Sequence, residues 1–358
     1  MKVLIATGAS GGHIFPALSV ACELRALGHD IKFVTTPGPM TEKIKDKGFS
    51  FETISSRGVN FSSFISVCTC LGCMAVAFFQ SLGILLKFRP DCIAGFGGYG
   101  AFPVVLAACC LFFPTLIHEQ NVIPGRANRI LAGCVRRIAV TFTDGKKYFP
   151  AHKTVWTGYP QHIAIPLLSK EELLKKLNLF PGWKTILVLG GSQGSRKINQ
   201  EFLETIPLLK QDLDFQVIHL TGVSDYEQVK SDYKNTGISY CIFPFFDRME
   251  EAYHVSDCVI ARSGAGVVSE IAMFGLPAVF IPYPFAGGHQ TANAKVLSGA
   301  GRAVILEEKD LSPQRLKDAI NKIFSISFSN ETESAKLKNV YVSGASKRLA
   351  QEIVGLKR

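Results

Sequence analysis

Two stretches of this sequence share one pattern, in which an apolar run is followed by a glycine-rich turn and then a helical segment. Residues 2–12 read KVLIATGASGG, and residues 184–195 read KTILVLGGSQGS. A continuous apolar run indicates a strand that is covered on both faces. Strands that alternate with helices form parallel sheets. The sequence therefore predicts an α/β protein with two doubly wound parallel sheets.

Further apolar runs continue the alternation in each half of the chain. They lie at residues 31–36, 91–96, 114–119, 136–142, 215–222, 239–245, 257–264 and 277–283. The segment VWTGYPQHIAIP separates the halves, and its Gly158, Pro160 and Pro166 break regular structure. We expect one domain over 1–157, a second over 158–340, and a C-terminal helix within 341–358 that packs back on the first. Two such domains would leave a cleft lined by the carboxyl ends of both sheets.

Glycine-rich turns recur at four predicted strand ends, over residues 8–13, 95–99, 190–194 and 263–266. Such turns present backbone N–H groups to an anion, although a single one is also explained by tight packing of strand on helix. A nicotinamide enzyme would show G-x-G-x-x-G and an NTPase G-K-[ST], and the turns at 8–13 and 190–194 match neither motif. The diphosphate of a nucleotide or sugar nucleotide is the ligand that remains.

The N-terminal half combines positive charge with a long uncharged stretch. The net charge is +10, and residues 1–157 hold 16 Lys and Arg against 8 Asp and Glu. Residues 58–86 carry no charge and are flanked by Arg57, Lys87 and Arg89. A membrane span needs about 20 apolar residues, but this stretch contains several polar side chains and would divide one sheet across the bilayer. We expect it to pack on a core or to graze an anionic lipid surface.

Other composition signals exclude several classes. No nucleic-acid-binding module or aromatic-plus-basic pattern is present, so no nucleic-acid partner is expected. Most of the ten cysteines lie in apolar runs, which is typical of buried thiols in a reducing compartment rather than of disulfides or zinc ligands.

Six motifs occur in order over nearly the whole chain: GASGGH, GFGGYGAFP, HEQNVIPGRAN, GGSQGS, RSGAGVVSE and HQTANA. In this order they resemble the MurG family, the peptidoglycan N-acetylglucosaminyltransferases of bacteria. The resemblance implies the GT-B fold, with two Rossmann-like domains facing a cleft. It implies UDP-N-acetylglucosamine as co-substrate with no other cofactor. The acceptor would be lipid I, undecaprenyl-pyrophosphoryl-N-acetylmuramoyl-pentapeptide, and the products lipid II, formed with inversion, and UDP. The enzyme would be peripheral on the cytoplasmic face of the bacterial inner (plasma) membrane, with other cell-wall synthesis proteins as candidate partners.

The resemblance also assigns site residues. Those matched to the donor are Ser10, Gly11, Gly12, Asn121, His162, Ser192, Phe246, Arg262, Ala265, Gly266, Val267, Val268, Ser269, Glu270 and Gln290. Those matched to the acceptor are Gly97, Gly98 and Tyr99. Glu270 would bind the ribose, the backbone at Phe246 the uracil and Gln290 a sugar hydroxyl. His162 stands where the family linker usually carries arginine, which puts that donor contact in doubt.

An inverting transfer needs a base for the acceptor hydroxyl and donors for the leaving UDP. His13, at the start of a predicted helix, is the expected base, and Glu119 is the second candidate. Backbone amides near Gly194 and Gly264, with Arg262, would replace a metal ion, so we expect metal-independent transfer. Three alternatives remain open at this point. They are another lipid-directed sugar transferase such as a diacylglycerol galactosyltransferase, a UDP-N-acetylglucosamine 2-epimerase, and an inactive sugar-nucleotide-binding protein.

Overall fold

The chain forms two compact units in a computed structural model. The structure describes residues 1–38, 40–56, 64–161, 163–191, 193–325, 337 and 340–357. Unit 1 comprises Met1–His162 and Val342–Arg358, and unit 2 comprises Ile163–Tyr341. The boundary thus falls between His162 and Ile163, slightly later than the predicted end of the first domain at residue 157.

Unit 1 is built on a parallel sheet of seven strands, in the order β3-β2-β1-β4-β5-β6-β7. The strands are β1 (Lys2–Ala6), β2 (Asp30–Thr35), β3 (Ser50–Thr53), β4 (Cys92–Gly95), β5 (Thr115–Glu119), β6 (Arg137–Val140) and β7 (Thr154–Trp156). Val3 and Ile5 pack into one core cluster, and Leu4 and Ala6 pack into another on the opposite face. This two-sided burial explains why the strand sequences are continuously apolar.

Helices connect the strands of unit 1 and cover both faces of its sheet. They are α1 (Gly11–Ala26), α2 (Glu42–Asp46), α3 (Phe64–Phe88), α4 (Gly98–Cys110) and α5 (Arg126–Leu131), with 3-10 turns at Thr143–Tyr148 and Ala151–Lys153. Helix α1 ends where Gly28 adopts a left-handed conformation, with φ of 79°. A glycine at this position is thus a sequence signal for the end of the helix.

Unit 2 repeats the design with a six-stranded parallel sheet in the order β10-β9-β8-β11-β12-β13. Its strands are β8 (Lys184–Leu189), β9 (Phe215–Leu220), β10 (Ser239–Phe243), β11 (Cys258–Ala261), β12 (Ala278–Phe280) and β13 (Ala303–Ile305). Its helices are α6 (Lys170–Lys176), α7 (Arg196–Leu209), α8 (Tyr226–Tyr233), α9 (Met249–Val255), α10 (Ala265–Met273), α11 (His289–Gly299) and α12 (Pro313–Ser325), with a 3-10 turn at Glu308–Asp310. The two predicted doubly wound sheets are confirmed.

The C-terminal segment returns to unit 1. Helix α13 (Ala345–Val354) contacts α1 and is followed by a 3-10 turn at Gly355–Lys357. Its Leu349 and Ile353 are fully buried in the same core cluster as Ile14 of α1. The fold of unit 1 therefore depends on both ends of the chain.

Helix α3 is the described part of the uncharged stretch and has the composition of a membrane span. Within its segment Thr69–Phe88, an 18-residue window has a mean hydropathy of 1.9, and 22% of that window is buried. Strands β3 and β4, which precede and follow it, lie in one sheet with β1 and β2 between them. Helix α3 is therefore the crossover of a parallel βαβ unit, packed on α4.

Several apolar side chains of α3 face outward. Leu71, Val76, Phe79 and Leu86 are between 51% and 69% exposed. Their spacing of five, three and seven residues places them along one side of the helix. In the same uncharged stretch, Phe78 and Leu82 pack against the core instead. The side chains of Phe61, Phe64 and the flanking Arg57 lie outside the described residues.

Candidate active site

Both sheets place a pair of glycine turns at their switch points, where the strand order reverses direction. In unit 1 the reversal lies between β1 and β4, where Ala6 pairs with Gly95, and in unit 2 between β8 and β11, where Leu189 pairs with Ala261. Open parallel sheets bind ligands at such points, beyond the carboxyl ends of the strands. The four predicted glycine turns follow these four strands, so the sequence located both candidate sites.

The imidazole of His13 packs against three glycines in unit 1. A Cβ atom built on Gly8 would be 3.0 Å from Cδ2 of His13, and one built on Gly98 would be 3.3 Å from its Nε2. One built on Gly97 would lie 3.3 Å from its Cε1. Gly97 and Gly98 also have φ values of 80° and 76°, which disfavour side chains. The second glycine turn, which we expected to bind acceptor, therefore also provides the space that the His13 imidazole occupies.

The surroundings of His13 favour its neutral form. Burial lowers the pKa of His13 below its usual 6.5, and hydrogen bonding to the Phe96 carbonyl and the Gln120 side chain opposes that effect. His13 is the third residue of α1, where the helix dipole also disfavours a cation. A neutral imidazole at physiological pH has the free lone pair that a base requires.

The remaining residues of the first turn lie at the solvent-facing start of α1. The carbonyl of Ser10 accepts hydrogen bonds from the backbone N–H groups of His13 and Ile14, both at 3.0 Å. Apart from its chain neighbours and the backbone of its own helix, no described atom lies within 4 Å of a Cβ built on Gly12. The first amides of a helix have no partner within it, so Gly11 and Gly12 are suited to meet an anion.

Both carboxylate oxygens of Glu119, the second candidate for the base, accept hydrogen bonds from the loop that follows it. Its Oε1 accepts from the backbone N–H of Asn121 at 3.0 Å and from that residue's Nδ2 at 3.4 Å. Its Oε2 accepts from the Gly125 N–H at 3.0 Å and from Asn128 Nδ2 at 2.8 Å. Burial raises the pKa of the carboxyl group, and these four bonds oppose the rise. The geometry makes Glu119 the organiser of the loop over 121–128.

The neighbours of Glu119 in the HEQN motif reach in other directions. His118 is fully buried, and burial lowers its pKa to about 4; its Nε2 lies 3.3 Å from the Gly158 carbonyl. Gln120 donates from Nε2 to the Phe96 carbonyl at 2.7 Å. The motif therefore ties β5 to the turn after β4 and to the segment after β7.

The first glycine turn of unit 2 is tightly packed. A Cβ on Gly190 would lie 2.2 Å from the backbone nitrogen of Ser195, and one on Gly194 would lie 2.2 Å from the Thr221 carbonyl. Gly222 faces this turn with φ of 81°. These glycines are required because the β8 turn and the β9 turn pass backbone against backbone. The turn delivers the chain to the start of α7.

The second glycine turn of unit 2 leads into α10. Gly264 precedes the helix, which begins at Ala265, so the amides of Ala265, Gly266 and Val267 form its open first turn. Val268 and Ser269 are buried, and Ser269 Oγ has no hydrogen-bond partner among the described residues. A helix start of this kind attracts phosphate oxygens.

Glu270, the predicted ribose ligand, is oriented by a tyrosine that sequence reasoning missed. Tyr253 is fully buried on α9, and its hydroxyl donates to Glu270 Oε2 at 2.8 Å. Its ring stacks on Phe274 with centroids 5.5 Å apart. Burial raises the pKa of Glu270, and the tyrosine bond opposes the rise. Among the described residues Oε1 has no hydrogen-bond partner, so it can accept from a ligand hydroxyl.

The guanidinium of Arg262 makes its polar contacts with residues of unit 2. Its guanidinium forms an ion pair with Glu308 and donates to the carbonyl of Ile281 at 3.0 Å and to Ser195 Oγ at 2.9 Å. It also lies over the ring of Tyr283, 5.4 Å from the centroid. The side chain is buried and its charge is compensated, so it joins the ends of β11 and β12 to the start of α7.

The structure places Gln290 and Phe246, two further residues that the sequence matched to the donor. Gln290, at the start of α11, accepts the Tyr283 N–H at 2.9 Å through Oε1, which leaves its Nε2 group to donate. Phe246 follows β10 and is buried against Phe243, with ring centroids 4.6 Å apart, so it anchors the loop whose backbone is matched to uracil. Tyr99, at the start of α4, is 46% exposed. The predictions for His162 and Ser192 lie outside the described residues.

An Asp-x-Asp triplet of the kind that binds metals in some sugar transferases occurs at Asp212, Leu213 and Asp214. It lies before β9, at the amino end of the strand, away from the glycine turns. Asp212 is paired there with Lys317 at 2.9 Å and with Asn321 at 2.8 Å. Among the described residues, no group of three or more His, Cys, Asp or Glu side chains is arranged to hold a metal ion.

Paired Rossmann-like units, each with glycine turns at its switch point, define the GT-B fold. Residues 3–140 match the glycosyltransferase family 28 N-terminal domain, and residues 185–349 match the family 28 C-terminal domain. A relative from Halothermothrix orenii is 38% identical over 336 residues, covering 91% of each chain. It is named UDP-N-acetylglucosamine--N-acetylmuramyl-(pentapeptide) pyrophosphoryl-undecaprenol N-acetylglucosamine transferase. The chain therefore belongs to glycosyltransferase family 28 and, within it, to the family of these N-acetylglucosamine transferases.

Solved structures agree with this assignment. The crystal structure of Acinetobacter baumannii MurG is 27% identical, covers 99% of both chains and superposes with a TM-score of 0.78. A UDP-GlcNAc 2-epimerase from Neisseria meningitidis superposes with a TM-score of 0.66 at 15% identity. The second likeness concerns the fold alone.

Proposed function

We propose that this chain transfers N-acetylglucosamine from UDP-N-acetylglucosamine to the muramoyl C4 hydroxyl of lipid I, producing lipid II and UDP with inversion at the anomeric carbon. The observation that carries the proposal is the similarity, over nine-tenths of the chain, to transferases whose name states this donor and this acceptor. The glycine turns at both switch points supply sites of the required chemistry.

Unit 2 binds the donor in this proposal. The first turns of α7 and α10 present amides to the diphosphate, and Glu270, held by Tyr253, accepts the ribose hydroxyls through its free oxygen. Gln290 donates from Nε2 to a sugar hydroxyl while Tyr283 holds its Oε1. Because the charge of Arg262 is compensated by Glu308, backbone amides rather than this arginine stabilise the charge that develops on UDP.

Unit 1 supplies the base. His13 accepts the proton of the acceptor hydroxyl as that oxygen attacks the anomeric carbon. The bond from the anomeric carbon to the UDP oxygen breaks, the electron pair leaves with UDP, and His13 later releases its proton to solvent. Its depressed pKa keeps the imidazole neutral before attack. Glu119 positions the loop over 121–128, since its two oxygens already accept four bonds from that loop.

Helix α3 provides contact with the membrane that holds the lipid acceptor. Leu71, Val76, Phe79 and Leu86 expose apolar surface along one side, and the exposed Lys87 follows Leu86 at its end. Apolar side chains beside a cation favour the surface of an anionic bilayer. The basic N-terminal half also includes Arg136 and Arg137, but Arg136 donates to the Leu356 carbonyl and Arg137 pairs with Glu352 of the C-terminal segment. Attachment is thus peripheral.

The test incubates the pure chain with labelled UDP-N-acetylglucosamine and lipid I. We expect label in the lipid fraction only when lipid I is present, and no loss of rate after a chelator is added. A reaction with labelled UDP-galactose and diacylglycerol serves as the competing substrate pair. Conversion of the donor without labelled lipid, or preference for diacylglycerol, would overturn the proposal in favour of an epimerase or another lipid glycosyltransferase.

A further inference from the structure

Nδ1 of His13 is a buried polar atom, and its hydrogen bonding determines where the imidazole carries its proton. Among the described residues it has no partner within hydrogen-bonding distance and angle, although the Phe96 carbonyl and the Gln120 side chain lie close enough to raise the pKa of the imidazole, which as a whole is partly exposed. A neutral imidazole carries one proton, on either Nδ1 or Nε2. A buried N–H needs an acceptor, and a buried bare nitrogen needs a donor. The groups beside Nδ1 therefore decide which nitrogen is free to take a proton.

Gln120 lies beside this nitrogen with its amide in a defined orientation. The side chain is 3% exposed, and Nε2 donates to the Phe96 carbonyl at 2.7 Å. Because a carbonyl can only accept, the NH₂ group must face Phe96 and Oε1 must face the other way. A single point, the Cβ position of Gly97, lies 3.4 Å from Nδ1 of His13 and 3.5 Å from Oε1 of Gln120. The two atoms thus converge on the same small space.

We propose that Gln120 is a positioning residue for the transfer reaction: its Oε1 accepts the proton-bearing Nδ1–H of His13 and so leaves the lone pair of Nε2 to take the proton of the acceptor hydroxyl. This inference rests on the proposed function, in which His13 is the base. It gives the third residue of the HEQN motif a task that depends on an amide: one end must accept from the imidazole while the other donates to the turn after β4.

Other titratable groups on the elements that pack around His13 have separate partners. His118 is buried with Nε2 near the Gly158 carbonyl, and Glu119 is saturated by the loop over 121–128. Tyr99 follows the glycine pair at the start of α4 and is half-exposed. Gln120 is therefore the neighbour whose replacement should change the acid–base behaviour of His13 most directly.

Two substitutions of Gln120 should move the pH profile in opposite directions. Gln120→Glu keeps an acceptor and adds a negative charge beside the imidazole, which should move the acidic limb of kcat up by about one pH unit or more. Gln120→Leu removes the side-chain acceptor and leaves the Phe96 carbonyl as the other acceptor beside the imidazole, so kcat should fall about 10- to 100-fold and the acidic limb should move down. The affinity for UDP should stay unchanged in both. Gln351→Glu, an exposed substitution on α13 of the same unit, should leave the profile as in the wild type.

A direct measurement on the wild-type chain complements the variants. Nitrogen-15 NMR of histidine, with the His13 signals assigned from the spectrum of His13→Ala, should show the proton on Nδ1. A proton on Nε2, or a folded Gln120→Leu chain with the wild-type kcat and pH profile, would overturn the inference. Failure of the base assignment would appear differently, as a near-normal kcat in His13→Ala, and failure of the proposed function as a wild-type chain that labels no lipid.

Discussion

Replacing Glu119 by glutamine distinguishes two possible roles of this residue, which are to hold its loop in place and to act as the catalytic base. The carboxylate accepts four hydrogen bonds, from Asn121 twice and from Gly125 and Asn128. A glutamine has one oxygen, so its NH₂ group would face two donors. Losing two bonds to a buried charge and opposing donor to donor should lower the free energy of unfolding by about 3–5 kcal/mol.

Urea denaturation of Glu119→Gln measures this loss through the midpoint at constant slope. We expect a clearly lower midpoint, with UDP affinity near the wild-type value because the proposed function places UDP on unit 2. Glu42→Gln, at an exposed site on α2, should leave both quantities unchanged. If the midpoint of Glu119→Gln matched the wild type while kcat fell more than 100-fold, Glu119 would be the base and the loop argument would be wrong.

Three further measurements test other parts of the molecule. Glu270→Ala should weaken UDP binding by about 1.5–3 kcal/mol in calorimetry, since a charge-assisted contact is lost; equal affinity would mean that this carboxylate serves only its helix. Burial lowers the pKa of His219 to about 3, so the unfolded chain takes up a proton near pH 6.5 while the folded chain does not. The free energy of unfolding should therefore fall as pH drops, by about 2 kcal/mol between pH 7 and pH 5, and the slope should flatten in His219→Gln; an equal slope would contradict this. Phe79→Ser combined with Leu86→Ser should reduce binding to anionic lipid vesicles at least tenfold, whereas Leu27→Ser, exposed at the end of α1, should not; unchanged binding by the double variant would remove α3 from the membrane contact.

The sequence predicted the strands at the centres of both sheets but not those at three of the edges. Strands β1, β4, β8 and β11 are continuously apolar because helices cover both their faces. Strands β3, β7 and β13 are only three or four residues long and are mostly part-exposed. Such short segments carry no periodic signal, and they form because a neighbouring strand offers them backbone partners.

The candidate site shows a similar division between what the motifs indicate and what only the fold reveals. His13 and Glu270 lie in recognisable motifs at strand ends. Gln120 also lies in a motif, but its role and that of Tyr253 are not visible in the sequence, because their partners lie 24 and 17 residues away. Glu119 was a candidate base in the sequence for a related reason, since spacing alone does not show that its loop supplies four donors.

The return of the C-terminal helix to unit 1 has a consequence for synthesis on the ribosome. Unit 2 is one continuous stretch, Ile163–Tyr341, whereas unit 1 needs Val342–Arg358 as well. Until α13 emerges, the apolar side of α1, which includes Ile14 and Leu24, is not packed against Leu349 and Ile353. The half made first is therefore completed last, reversing the usual order in which N-terminal domains fold ahead of those that follow. A nascent chain that stalls inside unit 2 would leave the helix carrying His13 without its cover.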